Sequence, residues 1–266
     1  DHSMNNISQA LINNKFAKNY FVFFGHPITT GSKNMDYFIS SNLMDKGNQN
    51  HYSEKLILLD GIGFNYKIDN KLKDINISAT TVKENSFYIP QGIFKFLPKY
   101  DYLFGEILDN DKQATISFIK DKDPYLNDKF INRLKRVKKI NKNFDRLIFI
   151  EGMSQVSFYK KLASHKIILD TVGWSGGNTS MEALYLNKPI VTLQGKTLRA
   201  NTTAAMLKQI NLDILIAKDY KEYIFLANKI MKNEEFFKFI VNKIKNNKHL
   251  IFDKQISLYE KIKDLL

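Results

Sequence analysis

The stretch "LDTVGWSGGNTSMEALYLNKPIVTL", residues 169–193, holds an apolar strand, a glycine pair, a hydroxyl-rich turn, a helix and a second apolar strand. Glycines lack a Cβ, so the pair allows a ligand to approach the backbone closely. Thr179 and Ser180, in the first helical turn, offer hydroxyls and unpaired N–H groups that suit a phosphate. On spacing alone, a purely structural turn with Asn178 or Thr179 as helix N-cap is slightly favoured, because short glycine-rich turns are common.

Two periodicities alternate outward from this stretch. From residue 86 onward the apolar runs "SFYIPQ", "ATISFIK", "RLIFIEG", "KIILDTV", "PIVTLQG" and "DILIAKD" predict strands. Segments with helical spacing lie between them, among them "KYDYLFGEILDN" and "YLNDKFINRLKRVKKI". This alternation predicts an α/β fold with a parallel sheet covered on both faces, and right-handed crossovers make it Rossmann-like. After Asp219 the pattern is helical only, ending in "QISLYEKIKDLL", and these helices are expected to brace the sheet.

The first 85 residues have a different pattern. "YFVFFG" predicts a strand, "NMDYFISS" a second one, and "SEKLILLDGIGFNYKI" is a further apolar stretch. This is too little for a second domain of ordinary size, so residues 1–85 are interpreted as the end of one with a linker, and residues 86–266 as the main domain. The opening "DHSM" is interpreted as an expression remnant.

Composition narrows the functional classes. With 266 residues, 44% of them hydrophobic, the chain can bury a sizeable core, and the lack of cysteine excludes disulfides and thiolate chemistry. No run approaches the roughly 18 apolar residues of a membrane span, so a cytoplasmic protein is expected. The net charge is +13, and the lysines and arginines lie on segments such as "RLKRVKKINKNF", which are interpreted as solvated helix faces. Because no nucleic-acid motif is visible, no nucleic-acid partner is expected, and because no carboxylate cluster suggests a divalent cation, no metal cofactor is expected.

The segment "DTVGWSGGNTSMEALYLNKPIVTLQGKTLRANTTAAMLKQINLDILIAKDYKEY" resembles the C-terminal half of the peptide O-GlcNAc transferases and the related bacterial adhesin asparagine N-glucosyltransferases. Upstream, "GHPITTGSKNMDYFISS" and "YSEKLILLDGIG" are similar to the segment that closes the first lobe of that family, in the same order. Those enzymes have a two-lobed GT-B fold. The resemblance implies a Rossmann-like C-terminal GT-B lobe with C-terminal helices and a short remnant of the N-terminal lobe.

The resemblance also assigns a diphosphate site. The family's phosphate-binding turn matches the opening stretch, so the backbone amides of Gly177, Asn178, Thr179 and Ser180 are expected to hold the diphosphate and Glu182 the ribose. Two departures stand out: Gly177 replaces the usual histidine, and Glu182 is longer than the usual aspartate. Asparagine in this turn favours the glucosyltransferase branch.

Other candidates lie on three further segments. "YIPQGIFKFLP" matches the family's nucleotide-binding element and supplies Gln91 and Lys95. A fixed cation at Lys95 would stabilise the leaving diphosphate more in the transition state than in the ground state. From "EGMSQVSFYKKL", Met153 and Phe158 are expected to meet the uracil, although Phe158 also has the spacing of a core residue. His26 in "FGHPITTGS" is expected to donate to a phosphate or sugar oxygen.

These assignments predict the UDP-sugar-binding part of an inverting, metal-independent glycosyltransferase. It would transfer GlcNAc or glucose to Ser/Thr or Asn side chains of a protein acceptor. Because most of the first lobe lies outside these 266 residues, the chain is expected to be a fragment of a larger enzyme. The alternative is a catalytically inert nucleotide-binding or scaffold module with the same fold.

Overall fold

The computed structural model describes residues 6–45, 47–253 and 258–265, so the opening "DHSM" lies outside the described residues. The strands are β1 (Phe21–Phe23), β2 (Tyr37–Ser41), β3 (Lys55–Leu59), β4 (Lys83–Ile89), β5 (Thr115–Ile119), β6 (Leu147–Ile150), β7 (His165–Leu169), β8 (Ile190–Leu193) and β9 (Ile216–Ala217). The α-helices are α1 (Asn6–Ile12), α2 (Asn70–Lys73), α3 (Tyr102–Asn110), α4 (Pro124–Lys135), α5 (Lys138–Asn141), α6 (Gln155–Ser164), α7 (Asn178–Tyr185), α8 (Thr202–Gln209), α9 (Tyr220–Lys232), α10 (Glu234–Asn247), α11 (His249–Phe252) and α12 (Tyr259–Ile262).

The larger sheet is parallel throughout and has the order β6-β5-β4-β7-β8-β9. The strand order therefore reverses between β4 and β7, as in doubly wound folds, where ligands bind beyond the carboxyl ends of the strands at that point. Each strand predicted from residue 86 onward lies in this sheet, so the predicted Rossmann-like α/β fold is confirmed. Among the described helices, none is both long and apolar enough to cross a membrane.

A smaller parallel sheet has the order β1-β2-β3. The predicted strands "YFVFFG" and "NMDYFISS" contain β1 and β2, and the third apolar stretch contains β3. The division of the chain between residues 85 and 86 stays a prediction. In the structure β4 begins slightly earlier, at Lys83.

Two helical predictions differ from the structure. The segment at residues 125–140 is not one helix, because α4 ends at Lys135 and α5 begins at Lys138. The break lets α5 turn against α3, where its backbone packs on Gly105. At the C-terminus, the described part of "QISLYEKIKDLL" contains only α12 and a short 3₁₀ turn, while residues 254–257 and 266 lie outside the described residues.

An aromatic cluster anchors the segment that follows β4. The ring of Phe96 lies 5.0 Å from that of Phe130 and 5.6 Å from that of Phe118, measured between centroids. Arg133 donates to the carbonyl of Phe96 at 3.1 Å and pairs with the buried carboxylate of Asp101 at 2.8 Å. These contacts hold the backbone immediately after Lys95 against the core.

We predict that Gly105→Ala destabilises the fold. A Cβ at Gly105 would lie 2.2 Å from the backbone oxygen of Lys139, which cannot move without displacing α5. Overpacking costs about 1–3 kcal/mol, more than the roughly 1 kcal/mol that alanine gains over glycine in a helix. Urea unfolding measures the difference. Gly152→Ala is the control, because its Cβ would meet no atom within 4 Å, and equal midpoints for the two variants would contradict the prediction.

Candidate functional site

The candidate site lies at the carboxyl ends of β4 and β7, where the strand order reverses. The segment after β4 carries Gln91 and Lys95, and the turn after β7 leads into α7. A cavity of about 260 Å³ opens here between the two sheets. From the larger sheet its lining includes Lys95, Trp174, Ser175, Gly177, Asn178, Arg199 and Thr202, and from the first segment it includes Phe23, Phe24, Gly25, Pro27 and Phe64.

A buried carboxylate, Asp170, shapes the turn after β7. It is 3% exposed and accepts hydrogen bonds from Ser175 Oγ at 2.6 Å, the Gly176 amide at 2.7 Å and Thr192 Oγ1 at 2.7 Å. Burial raises the pKa of the Asp170 carboxyl, and the donated hydrogen bonds oppose that rise. The turn therefore folds around a carboxylate, and both oxygens of that carboxylate accept hydrogen bonds from the protein itself.

Lys95 and Gln91 are joined to the start of α7. Lys95 Nζ donates to Gln91 Oε1 and to the carbonyl of Ser175, both at 3.1 Å. Gln91 Nε2 in turn donates to Thr179 Oγ1 at 2.6 Å. The 3₁₀ turn Ile93–Lys95 places the two side chains side by side. Burial lowers the pKa of Lys95, and the charge of Asp170 acts in the opposite direction.

The start of α7 presents backbone to the cavity. The N-cap is Gly177, without a side-chain cap, so the expected alternative of Asn178 or Thr179 as N-cap is wrong. The hydroxyls of Thr179 and Ser180 are used within the protein, since the Ser180 hydroxyl lies 2.7 Å from Thr203 Oγ1. Of the predicted turn residues, Gly177 and Asn178 line the cavity.

A second cavity, of about 970 Å³, lies beyond the ends of β5 and β6. Its lining includes Met153, Phe158 and Glu182, which the sequence analysis assigned to the uracil and the ribose. Phe158 also packs against the core, with its ring centroid 6.5 Å from that of Tyr88. Phe158 therefore both packs against the core and lines the cavity, so the two interpretations of this residue are compatible.

Glu182 lines the 970 Å³ cavity and contacts the first segment. Its carboxylate accepts from Tyr66 Oη at 3.3 Å and from Tyr159 Oη at 3.4 Å. Burial raises the pKa of Glu182 to about 7, because hydrogen bonds from the two tyrosines only partly offset the desolvation of the charge. Neither tyrosine was identified from the sequence, since their roles depend on contacts between segments far apart in the chain.

His26 lies in the loop after β1 and is itself not among the described residues that line the 260 Å³ cavity. Its neighbours Gly25 and Pro27 line the 260 Å³ cavity, and His26 itself is half-buried. The structure thus brings its loop to the same cleft as Lys95.

Two further residues of the cleft, Trp174 and Arg199, were not identified from the sequence. Both cations near the cleft contact the Trp174 ring. Lys95 Nζ lies 5.9 Å from the ring centroid, and the guanidinium carbon of Arg199 lies 5.1 Å from it. The sequence feature that could have pointed to Trp174 is that it is the only tryptophan of the 266 residues and stands two residues before the glycine pair. Within the described ranges there is no group of three or more His, Cys, Asp or Glu suited to a metal ion, and metal independence stays a prediction.

We predict that the two glycines of the turn respond differently to substitution by alanine. A Cβ at Gly176 would lie 2.3 Å from Ser180 Oγ and 2.6 Å from Gln91 Nε2, both held by hydrogen bonds, whereas a Cβ at Gly177 meets nothing within 4 Å. Gly176→Ala should lower the thermal midpoint clearly, whereas Gly177→Ala should cost less, at most about 1 kcal/mol, because alanine is only a poorer helix N-cap than glycine. Calorimetric melting compares them, and a larger loss for Gly177→Ala would refute this account of the turn.

Comparisons with known proteins identify the family and the fold. The model of glycosyl transferase family 41 matches residues 93–259. The probable UDP-N-acetylglucosamine peptide N-acetylglucosaminyltransferase SPINDLY of Hordeum vulgare is 29% identical over 213 residues, which is 76% of this chain and 22% of the relative. Its Arabidopsis thaliana counterpart is 26% identical with the same coverage. The chain therefore spans less than a quarter of the length of these relatives.

Solved structures show the same fold. An O-GlcNAc transferase of Thermobaculum terrenum superimposes with a TM-score of 0.82 at 20% identity, covering 97% of this chain and 49% of that one. Anabaena HepE in complex with UDP and glucose superimposes with a TM-score of 0.53 at 12% identity, over 82% of this chain and 59% of that one. The fold is that of GT-B glycosyltransferases, and with more than half of its residues matched by the family model, the chain belongs to glycosyl transferase family 41.

Proposed function

We propose that this chain is the donor-binding part of a UDP-sugar-dependent glycosyltransferase that modifies protein side chains. The proposal rests on one observation. Lys95 lies beside the start of α7, which has no side-chain N-cap, in a cleft at the point where the strand order of the larger sheet reverses. Family membership and the SPINDLY relatives support the proposal. The sugar is proposed to be GlcNAc or glucose, and the acceptor a Ser/Thr or Asn side chain. A cytoplasmic location stays a prediction.

The two cavities suggest how the donor is held. The uracil occupies the 970 Å³ cavity against Phe158 and Met153, where stacking on an aromatic ring needs no charge. Glu182 accepts from the ribose hydroxyls. The diphosphate meets the backbone amides at Gly177 and Asn178, where a helix N-terminus favours an anion. The sugar then extends into the 260 Å³ cavity.

The proposed reaction breaks the bond between the sugar carbon and the diphosphate oxygen. The acceptor oxygen or nitrogen attacks that carbon from the opposite face, which inverts its configuration. The proton of the acceptor passes to solvent, and the electron pair of the broken bond leaves on UDP. Lys95 is positioned before the reaction by Gln91 and Ser175, so its charge stabilises the departing diphosphate without reorganisation. His26 donates to a phosphate or sugar oxygen from the loop after β1.

We predict that Lys95→Ala weakens UDP binding. Hydrogen bonds to charged groups contribute about 1.5–3 kcal/mol, so the dissociation constant should rise roughly 10- to 100-fold. In the full-length enzyme turnover should fall more than donor affinity, because leaving-group charge develops in the transition state. Isothermal titration calorimetry with UDP measures binding, and Lys99→Ala, which removes an exposed lysine nearby, should bind like the wild type. Equal affinities for both variants would remove Lys95 from the site, and a wild-type chain that does not bind UDP would overturn the proposed function.

We predict that UDP-glucose binds more tightly as the pH rises through about 7. With the pKa of Glu182 at about 7, the carboxyl is mostly protonated below that pH, and the ionised form above it is the better acceptor for ribose hydroxyls. UDP-glucose suits the test because its diphosphate does not titrate near neutrality. Glu182→Gln should flatten the pH profile measured by calorimetry, and a profile with the same slope in both proteins would exclude Glu182 as its source.

A further inference from the structure

Within the described part of the chain, no carboxylate pairs with the charge of Arg199. Arg199 follows β8 and lines the 260 Å³ cavity, with its guanidinium carbon 5.1 Å from the Trp174 ring centroid. Its Nε is buried and has no hydrogen-bond partner within the described residues. A buried donor without an acceptor is energetically unfavourable, and the guanidinium that carries it lies beside the cavity.

The cavity around Arg199 is cationic. Lys95 Nζ lies 5.9 Å from the same tryptophan ring, so two cations flank Trp174. No carboxylate is among the described residues that line the cavity. The backbone of Arg199 is fixed next to Lys95, because its carbonyl accepts from the Ser175 amide at 2.9 Å and the Ser175 carbonyl accepts from Lys95. This cavity is therefore built to receive negative charge.

The strand order places Arg199 relative to the donor. The proposed uracil cavity lies beyond β5 and β6, the proposed diphosphate site lies beyond β4 and β7, and Arg199 lies beyond β8. The uracil cavity, the diphosphate site and Arg199 therefore follow one another along the carboxyl ends of the strands. Arg199 is thus on the side of the diphosphate that faces away from the base, at the end where the sugar is bound.

We propose that Arg199 is a second cationic residue of the donor site, which binds an anionic oxygen group at the sugar end of the nucleotide sugar. The proposal rests on the proposed function. The planar guanidinium can donate two parallel hydrogen bonds to a phosphate or to a carboxylate. Two sources can provide that group: the β-phosphate of the donor, or a carboxylate carried by its sugar.

The test is calorimetric titration of wild type and Arg199→Gln with UMP, UDP, UDP-glucose and UDP-glucuronate, which bears a carboxylate in place of the hydroxymethyl group of glucose. If Arg199 binds the β-phosphate, the variant binds the last three ligands roughly 10- to 100-fold more weakly and binds UMP unchanged. If it binds a sugar carboxylate, only UDP-glucuronate weakens. Lys196→Gln, which removes an exposed charge from the same loop outside the cavity, should match the wild type.

Arg199→Met is the second variant, because its unbranched side chain can still cover Trp174 if the glutamine variant does not fold. Wild-type affinity for all four ligands in a folded Arg199 variant would overturn this inference. Weaker UDP binding by Lys95→Ala in the same experiment would show that the proposed function survives. A wild-type chain that binds none of the four ligands would overturn both.

Discussion

The buried carboxylate of Asp170 is the interaction on which the site depends. It ties the end of β7 to β8 through Thr192 and folds the following turn through Ser175 and Gly176. Hydrogen bonds to a charged group contribute about 1.5–3 kcal/mol each, and a carboxylate at this depth would be strongly unfavourable without them. The same bonds that satisfy Asp170 therefore decide where α7 begins and which backbone atoms meet the cavity.

Asp170 also acts on the electrostatics of the site. Burial disfavours the charged form of Lys95, and the negative field of Asp170 favours it. Lys95 does not touch this carboxylate but is held by Gln91 and by the Ser175 carbonyl, so its cation can still meet a ligand. One buried acid thus shapes the turn and supports the charge of the lysine beside it.

The cleft depends equally on contacts between the first segment and the larger sheet. Phe24 and Phe64, whose ring centroids lie 5.7 Å apart, line the cavity together with Lys95. Tyr66 reaches Glu182, and Asn201 Nδ2 donates to the carbonyl of Met44 at 3.2 Å. Because these bonds cross between the two sheets, the cavity walls are positioned by parts of the chain that lie far apart in sequence.

The sequence by itself determined the strands, most helices and the Rossmann-like class, because burial of one face leaves a local period of two or 3.6 residues. It also brought Gln91, Lys95 and the residues at 177–180 to attention, through motifs that resemble a known family. It did not identify Trp174, Arg199 or Tyr66, nor did it show the break between α4 and α5. Those features arise where loops from different strands converge, and such proximity leaves no periodic pattern in the chain. Only the tertiary structure, by joining the ends of β4, β7 and β8 around Asp170, decided which side chains share the cleft.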